Sequence, residues 1–133
     1  RLIRISEAMR DKDAFRALTR MSLMADGFGG GSKIGESLDY YARNYAKKFV
    51  NGRTVVLILS DGYDTGPAHQ LAGALALLKK RGCKLIWLNP LKSWQDYQPI
   101  AKGMAAAMPY LDGFKSAGSL AELATLEPEL ARL

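Results

Sequence analysis

Thr54-Val55-Val56-Leu57-Ile58-Leu59-Ser60-Asp61-Gly62-Tyr63-Asp64 holds the strongest structural signal in the chain. Val55 to Leu59 are five large aliphatic residues with no polar alternation, so both faces of the segment are expected to be covered, as in a central strand of a parallel sheet. The run is too short and too β-branched at its start for a buried helix. Ser60-Asp61-Gly62 follows where the strand should end and the chain should turn. In open α/β sheets ligands bind outside that carboxyl edge, which makes Asp61 the foremost candidate for a functional residue.

Working outward, Gly66-Pro67 opens a predicted helix with Leu71, Leu75 and Leu78 on one face, and Gly82 suits its C-terminal cap. Lys84-Leu85-Ile86-Trp87-Leu88-Asn89 then reads as a second strand ended by Pro90. Strand, helix and strand at this spacing predict a βαβ crossover with parallel strands. On the amino-terminal side, Gly27-Phe28-Gly29-Gly30-Gly31-Ser32-Lys33-Ile34-Gly35 is a glycine-rich loop leading into a helix. Ile34, Leu38, Tyr41, Tyr45 and Phe49 form its apolar face, and Ser32 falls at the N-cap, where capping alone accounts for it. The loop lacks the Gly-Lys-Ser/Thr order of a phosphate-cradling P-loop, since Lys33 follows Ser32.

The flanks are plainer. Arg1 to Ser6 alternates and predicts a short edge strand, and Asp13 is placed to cap a helix over Ala14 to Met24, ended by Gly27. Phe15, Leu18, Met21 or Ser22, and Leu23 approximate the inner stripe of that helix. Beyond the loop Leu91 to Tyr97, a helix is predicted from about Gln98 to Met108, with Ile100, Met104 and Met108 as core filler. A last strand is expected around Phe114. Ser119 with Glu122 matches a capping box for a terminal helix in which Leu120, Leu123 and Leu126 face inward until Pro128 disturbs it.

The 133 residues suit one domain, and no apolar run approaches the roughly 20 residues a bilayer span needs. Cys83 is the single cysteine, which rules out an internal disulfide and suggests a core or near-core thiol in a reducing compartment. His69 is the single histidine, so together with one cysteine it cannot supply a zinc cluster, and no Ser-His-Asp triad stands out in the sequence. The formal charge of +6 would attract anions, but no basic run interleaved with aromatics stands out, and no nucleic-acid partner is expected.

Four pieces in order, Gly29-Gly30-Gly31-Ser32-Lys33-Ile34-Gly35, Val55 to Gly62, Ile86-Trp87-Leu88-Asn89-Pro90-Leu91, and Ala101-Lys102-Gly103-Met104-Ala105-Ala106-Ala107-Met108-Pro109, resemble the CoxE-like branch of the von Willebrand factor A (VWA) domains. The resemblance implies a Rossmann-like, three-layer α/β/α sheet, largely parallel, with a metal-ion-dependent adhesion site on its carboxyl edge. Matched to the family motifs, Ser32 is the second-loop hydroxyl and Asp61 the third-loop carboxylate, oxygen donors of the kind Mg²⁺ or Mn²⁺ takes. The family's first-strand Asp-x-Ser-x-Ser motif does not occur in this chain. Residues 1–133 are therefore expected to be an N-terminally incomplete VWA-like domain that does not hold the ion tightly by itself and that could self-associate through its incomplete sheet.

The resemblance further implies a non-enzymatic interaction module, working with a MoxR-type AAA+ ATPase in maturation of, or metal insertion into, a client metalloenzyme of the carbon monoxide dehydrogenase type. The competing reading is a Rossmann-like metal-dependent phosphohydrolase or phosphotransferase, with Asp61 as nucleophile or metal ligand and Ser32 binding phosphate. It would also need a second acidic residue and a phosphate-gripping Lys, and the spacing of Lys33 and Lys92 does not single out either for that role.

Overall fold

The computed structural model describes residues 2, 4–24, 33–62, 66–90 and 102–133. The chain divides into two compact units, Arg1–Gly31 and Ser32–Leu133. The first holds two helices, α1 (Ser6–Met9) and α2 (Ala14–Met24). Asp13 caps α2 as its position predicts, its Oδ1 accepting from the Phe15 N–H at 2.9 Å. The alternation at the start does not produce a strand among the described residues, because Ser6 already begins α1. Nor is the stripe on α2 as expected. Ala17 is its buried residue, while Phe15, Leu18 and Leu23 are exposed.

The second unit is a three-stranded parallel sheet in the order β1 (Val55–Leu59), β2 (Lys84–Asn89), β3 (Gly113–Ser116). Helices cover both faces. On one side lie α3 (Ile34–Asn44), α4 (Ala46–Phe49), α5 (Ala68–Lys79) and α6 (Lys102–Ala107), and on the other α7 (Leu120–Leu130). Strand alternation decides the division: Leu85 and Trp87 face Leu71, Leu75, Leu78 and Met104, whereas Ile86 and Leu88 face Leu126.

Two expectations change here. The central strand of the described sheet is β2, buried at every position after Lys84, and β1 lies at its border. Leu57 and Leu59 are 47% and 64% exposed, so the face they share with Val55 is covered only at Val55, which packs towards α7. The long apolar helix after the glycine-rich loop is broken at Tyr45 (φ −123°, ψ −27°) into α3 and α4, and this leaves Tyr45 and Phe49 exposed. Ile34, Leu38 and Tyr41 do pack inward.

The C-terminal region follows its signals more closely. Strand β3 forms at Phe114, and Ser119 Oγ accepts from the Glu122 N–H at 3.2 Å. The Glu122 carboxylate turns back to Ser116 Oγ (2.6 Å) and the Gly118 N–H (2.7 Å), tying the end of β3 to the first turn of α7. Leu126 is buried, whereas Leu120 and Leu123 are exposed. Pro128 sits within the last turn, and α7 continues to Leu130. In the segment after β2, α6 begins at Lys102 and passes into a 3₁₀ turn at Met108–Tyr110, with Met104 buried and Met108 exposed. The predicted start of that helix, with Ile100, lies outside the described residues.

At the end of the sheet where the strands begin, Asp112 fastens three elements. Its Oδ2 accepts from Lys79 Nζ (2.8 Å) on α5 and from the Leu85 N–H (2.7 Å) on β2, and Lys79 Nζ also donates to the Cys83 carbonyl (3.1 Å). Partial burial alone would push the Asp112 carboxyl up. The hydrogen bonds from Lys79 and Leu85, with the Lys79 and Lys84 charges, outweigh it and hold the carboxyl below its usual value. Cys83 beside it is the buried thiol expected; burial pushes it up, and Sγ–H donates to the Leu78 carbonyl (3.3 Å).

A carboxyl lowered by folding contributes stability in full above its unfolded value and loses it as pH falls through its folded value, so this contribution fades below about pH 4. Asp112→Ala leaves the Leu85 N–H without its side-chain acceptor and is expected to cost about 1–3 kcal/mol in urea denaturation at neutral pH. Asp112→Asn is expected to flatten the acid limb of the stability profile; an unchanged profile would remove Asp112 from this role.

Candidate functional site

The turn after β1 is built by β2. Two side chains on one face of that strand end on consecutive carbonyls: Trp87 Nε1 donates to the Ser60 carbonyl (2.9 Å) and Asn89 Nδ2 to that of Asp61 (3.3 Å). Both donors are fully buried, so each must find an acceptor inside the fold. Gly62 follows with a φ of +83°, which is costly for any residue with a Cβ. The Gly62 N–H donates to Ser60 Oγ (3.1 Å), closing a local turn. Beneath it lies Met104 of α6, whose Sδ would be 2.8 Å from a Cβ added at Gly62.

This anchoring places Asp61, half-buried, on the carboxyl rim of the sheet, as its position after the aliphatic run predicts. Ser32, the other residue of the expected pair, lies outside the described residues, as do Asp64 and Lys92. Lys33 is the N-cap residue of α3 and pairs with Glu36 at 3.8 Å, both side chains exposed. His69 is exposed on α5. Trp87 and Asn89 are the residues whose role the sequence reading missed. Their signal was available in kind, since an indole and an amide on an otherwise apolar, buried strand have donors to satisfy, but the acceptors lie 27 and 28 residues away.

The donor chemistry can be compared with what a divalent ion needs. Among the described residues no group of three or more His, Cys, Asp or Glu side chains could hold a metal ion. One carboxylate on a rim falls short of the six or so oxygens Mg²⁺ takes. The described residues therefore do not by themselves supply the ligand set of a metal site. Among them, too, no helix is long and apolar enough to cross a membrane.

A parallel sheet covered by helices on both faces, with its acidic turn on the carboxyl rim, is Rossmann-like α/β architecture of the VWA kind. The family model for VWA domain containing CoxE-like proteins matches residues 1–123, and the chain belongs to that family. Searches of curated proteins and of solved structures each found no significant match.

Gly62→Ala is expected to destabilise the domain by about 1–2 kcal/mol, since it forces an L side chain into the left-handed region against Met104. Adding Met104→Ala removes the clash but not the backbone cost, and it opens a cavity in the core. The double variant is therefore expected to stay below wild type in urea melts; full recovery would show that the turn is not conformationally demanding.

Proposed function

We propose that this domain is a non-enzymatic protein-interaction module whose working surface is the carboxyl rim around Asp61. Its membership of the CoxE-like family over residues 1–123 supports a protein partner. The observation that carries the reading is the anchoring of the Ser60-Asp61 carbonyls by Trp87 and Asn89, which fixes the backbone that carries the Asp61 side chain at the strand end. A preorganised acidic contact suits recognition, because little ordering is left to be done on binding.

In the fuller form of the proposal the partner is a MoxR-type AAA+ ATPase. The pair would serve maturation of, or metal insertion into, a client metalloenzyme of the carbon monoxide dehydrogenase type, in the cytoplasm. Asp61→Ala is expected to abolish pull-down of such an ATPase while leaving the far-UV spectrum and urea midpoint near wild type. Retention at wild-type level would sink the assignment of Asp61. Turnover of a phosphate ester that disappears with the same substitution would favour the hydrolase reading instead.

Ser32 and Asp61 are the two oxygen donors that the family resemblance assigns to a divalent ion. Two such donors hold Mg²⁺ poorly, so calorimetric titration of the 133-residue chain with Mg²⁺ or Mn²⁺ is expected to show no tight saturable binding. A tight isotherm that is lost in Asp61→Ala would show that further donors join them.

A further inference from the structure

Several of the second unit's cations lie at the end of the sheet opposite Asp61. Parallel strands all begin at one end, and the segments entering β1 and β2, with the ends of α4 and α5, carry Lys47, Lys48, Arg53, Lys80, Arg81 and Lys84. None of the six makes an ion pair among the described residues. Between residues 46 and 116 the described carboxylates are Asp61, on the far rim, and Asp112, which Lys79 already engages. The segments also join. Thr54 Oγ1 donates to the Phe49 carbonyl (3.4 Å), Asn51 Oδ1 accepts from the Arg53 N–H (2.8 Å), and a Cβ added at Gly82 would lie 3.4 Å from Gly52 Cα.

The break at Tyr45 adds an aromatic element to this corner. Tyr40, Tyr45 and Phe49 are exposed there. Their ring faces are partly taken: Tyr45 stacks on Tyr41 (6.0 Å, 25°), and Lys48 Nζ lies 5.4 Å from the Phe49 centroid. A nucleic-acid strand binds such a surface by laying bases on free faces, which these rings do not freely offer. What they present are apolar edges beside cations, the combination that suits a protein segment carrying both carboxylates and apolar side chains.

We propose that the corner formed by Tyr45, Lys47, Lys48, Phe49 and Arg53, flanked by Lys80 and Arg81, is a second docking surface, for an acidic protein segment with interspersed apolar residues. It lies a strand length, roughly 17 Å, from the Asp61 rim, so both ends can be engaged at once, and it does not rest on the reading of Asp61.

The test is fluorescence anisotropy on the intact 133-residue chain with two labelled probes: a peptide of alternating Glu and Leu or Phe, and an oligothymidylate of equal charge. The peptide is expected to bind more tightly and to weaken roughly tenfold from low to physiological salt. Combining Lys47→Glu, Lys48→Glu and Arg53→Glu is expected to lower its affinity by at least about tenfold, while Lys102→Glu, Lys115→Glu and Arg132→Glu together change it by less than about twofold. Should the first triple variant fail to fold by circular dichroism, Lys80→Glu with Arg81→Glu serves in its place. Tighter binding of the oligothymidylate, equal losses from the two triple variants, or no peptide binding would each overturn the proposal.

Discussion

Two buried hydrogen-bond donors on the central strand govern the shape of the rim. Trp87 and Asn89 lie on one face of β2, two residues apart, and neither can reach water. A buried indole N–H or amide without an acceptor costs about 1–3 kcal/mol, so the strand beside them must end where its carbonyls can serve. The Ser60 and Asp61 carbonyls do so, and Gly62, at a φ of +83°, closes the turn onto Ser60 Oγ. The acidic turn is thus less a flexible loop than an extension of the core. Among the described residues, no buried side-chain nitrogen or oxygen is left without a partner.

A second fastening works at the other end of the same strands. Asp112 accepts from Lys79 and from the Leu85 N–H and so joins α5, β2 and the entry to β3. It is the only described carboxylate at that end between residues 46 and 116, and the neighbouring cations are left facing solvent. The sheet is therefore electrically polarised along its strands. Such an asymmetry does not stabilise the fold; charges of one sign gathered at one end repel, and their use is in steering and recognition.

The open side of β1 gives the border of the sheet its character. Leu57 and Leu59 are exposed on a strand that has a hydrogen-bonding neighbour on one side only among the described residues. These exposed aliphatic side chains stand on the strand whose carboxyl end carries the anchored turn. Membership of the CoxE-like VWA family gives the sheet and its acidic turn a common origin without itself naming a partner.

Local rules were enough to read the periods and punctuation of this chain: the aliphatic run of β1, the bounds of β2, the Asp13 cap on α2, the capping box at Ser119, and Asp61 at a strand end. Each depends on residues within one element, where spacing and turn chemistry act directly. What tertiary structure decided were the relations between elements. Hydropathy could not say whether β1 or β2 is central, since both are runs of large apolar residues and only pairing distinguishes them. The inward stripe expected on α2 failed because helical spacing defines a face without supplying something for it to face. Tyr45 and Phe49 continue the period of α3 yet stand exposed, since the chain must break there to enter β1. The parts played by Trp87, Asn89 and Asp112 were hidden for one reason: a buried polar group announces its need for a partner, but the partner is chosen by the fold.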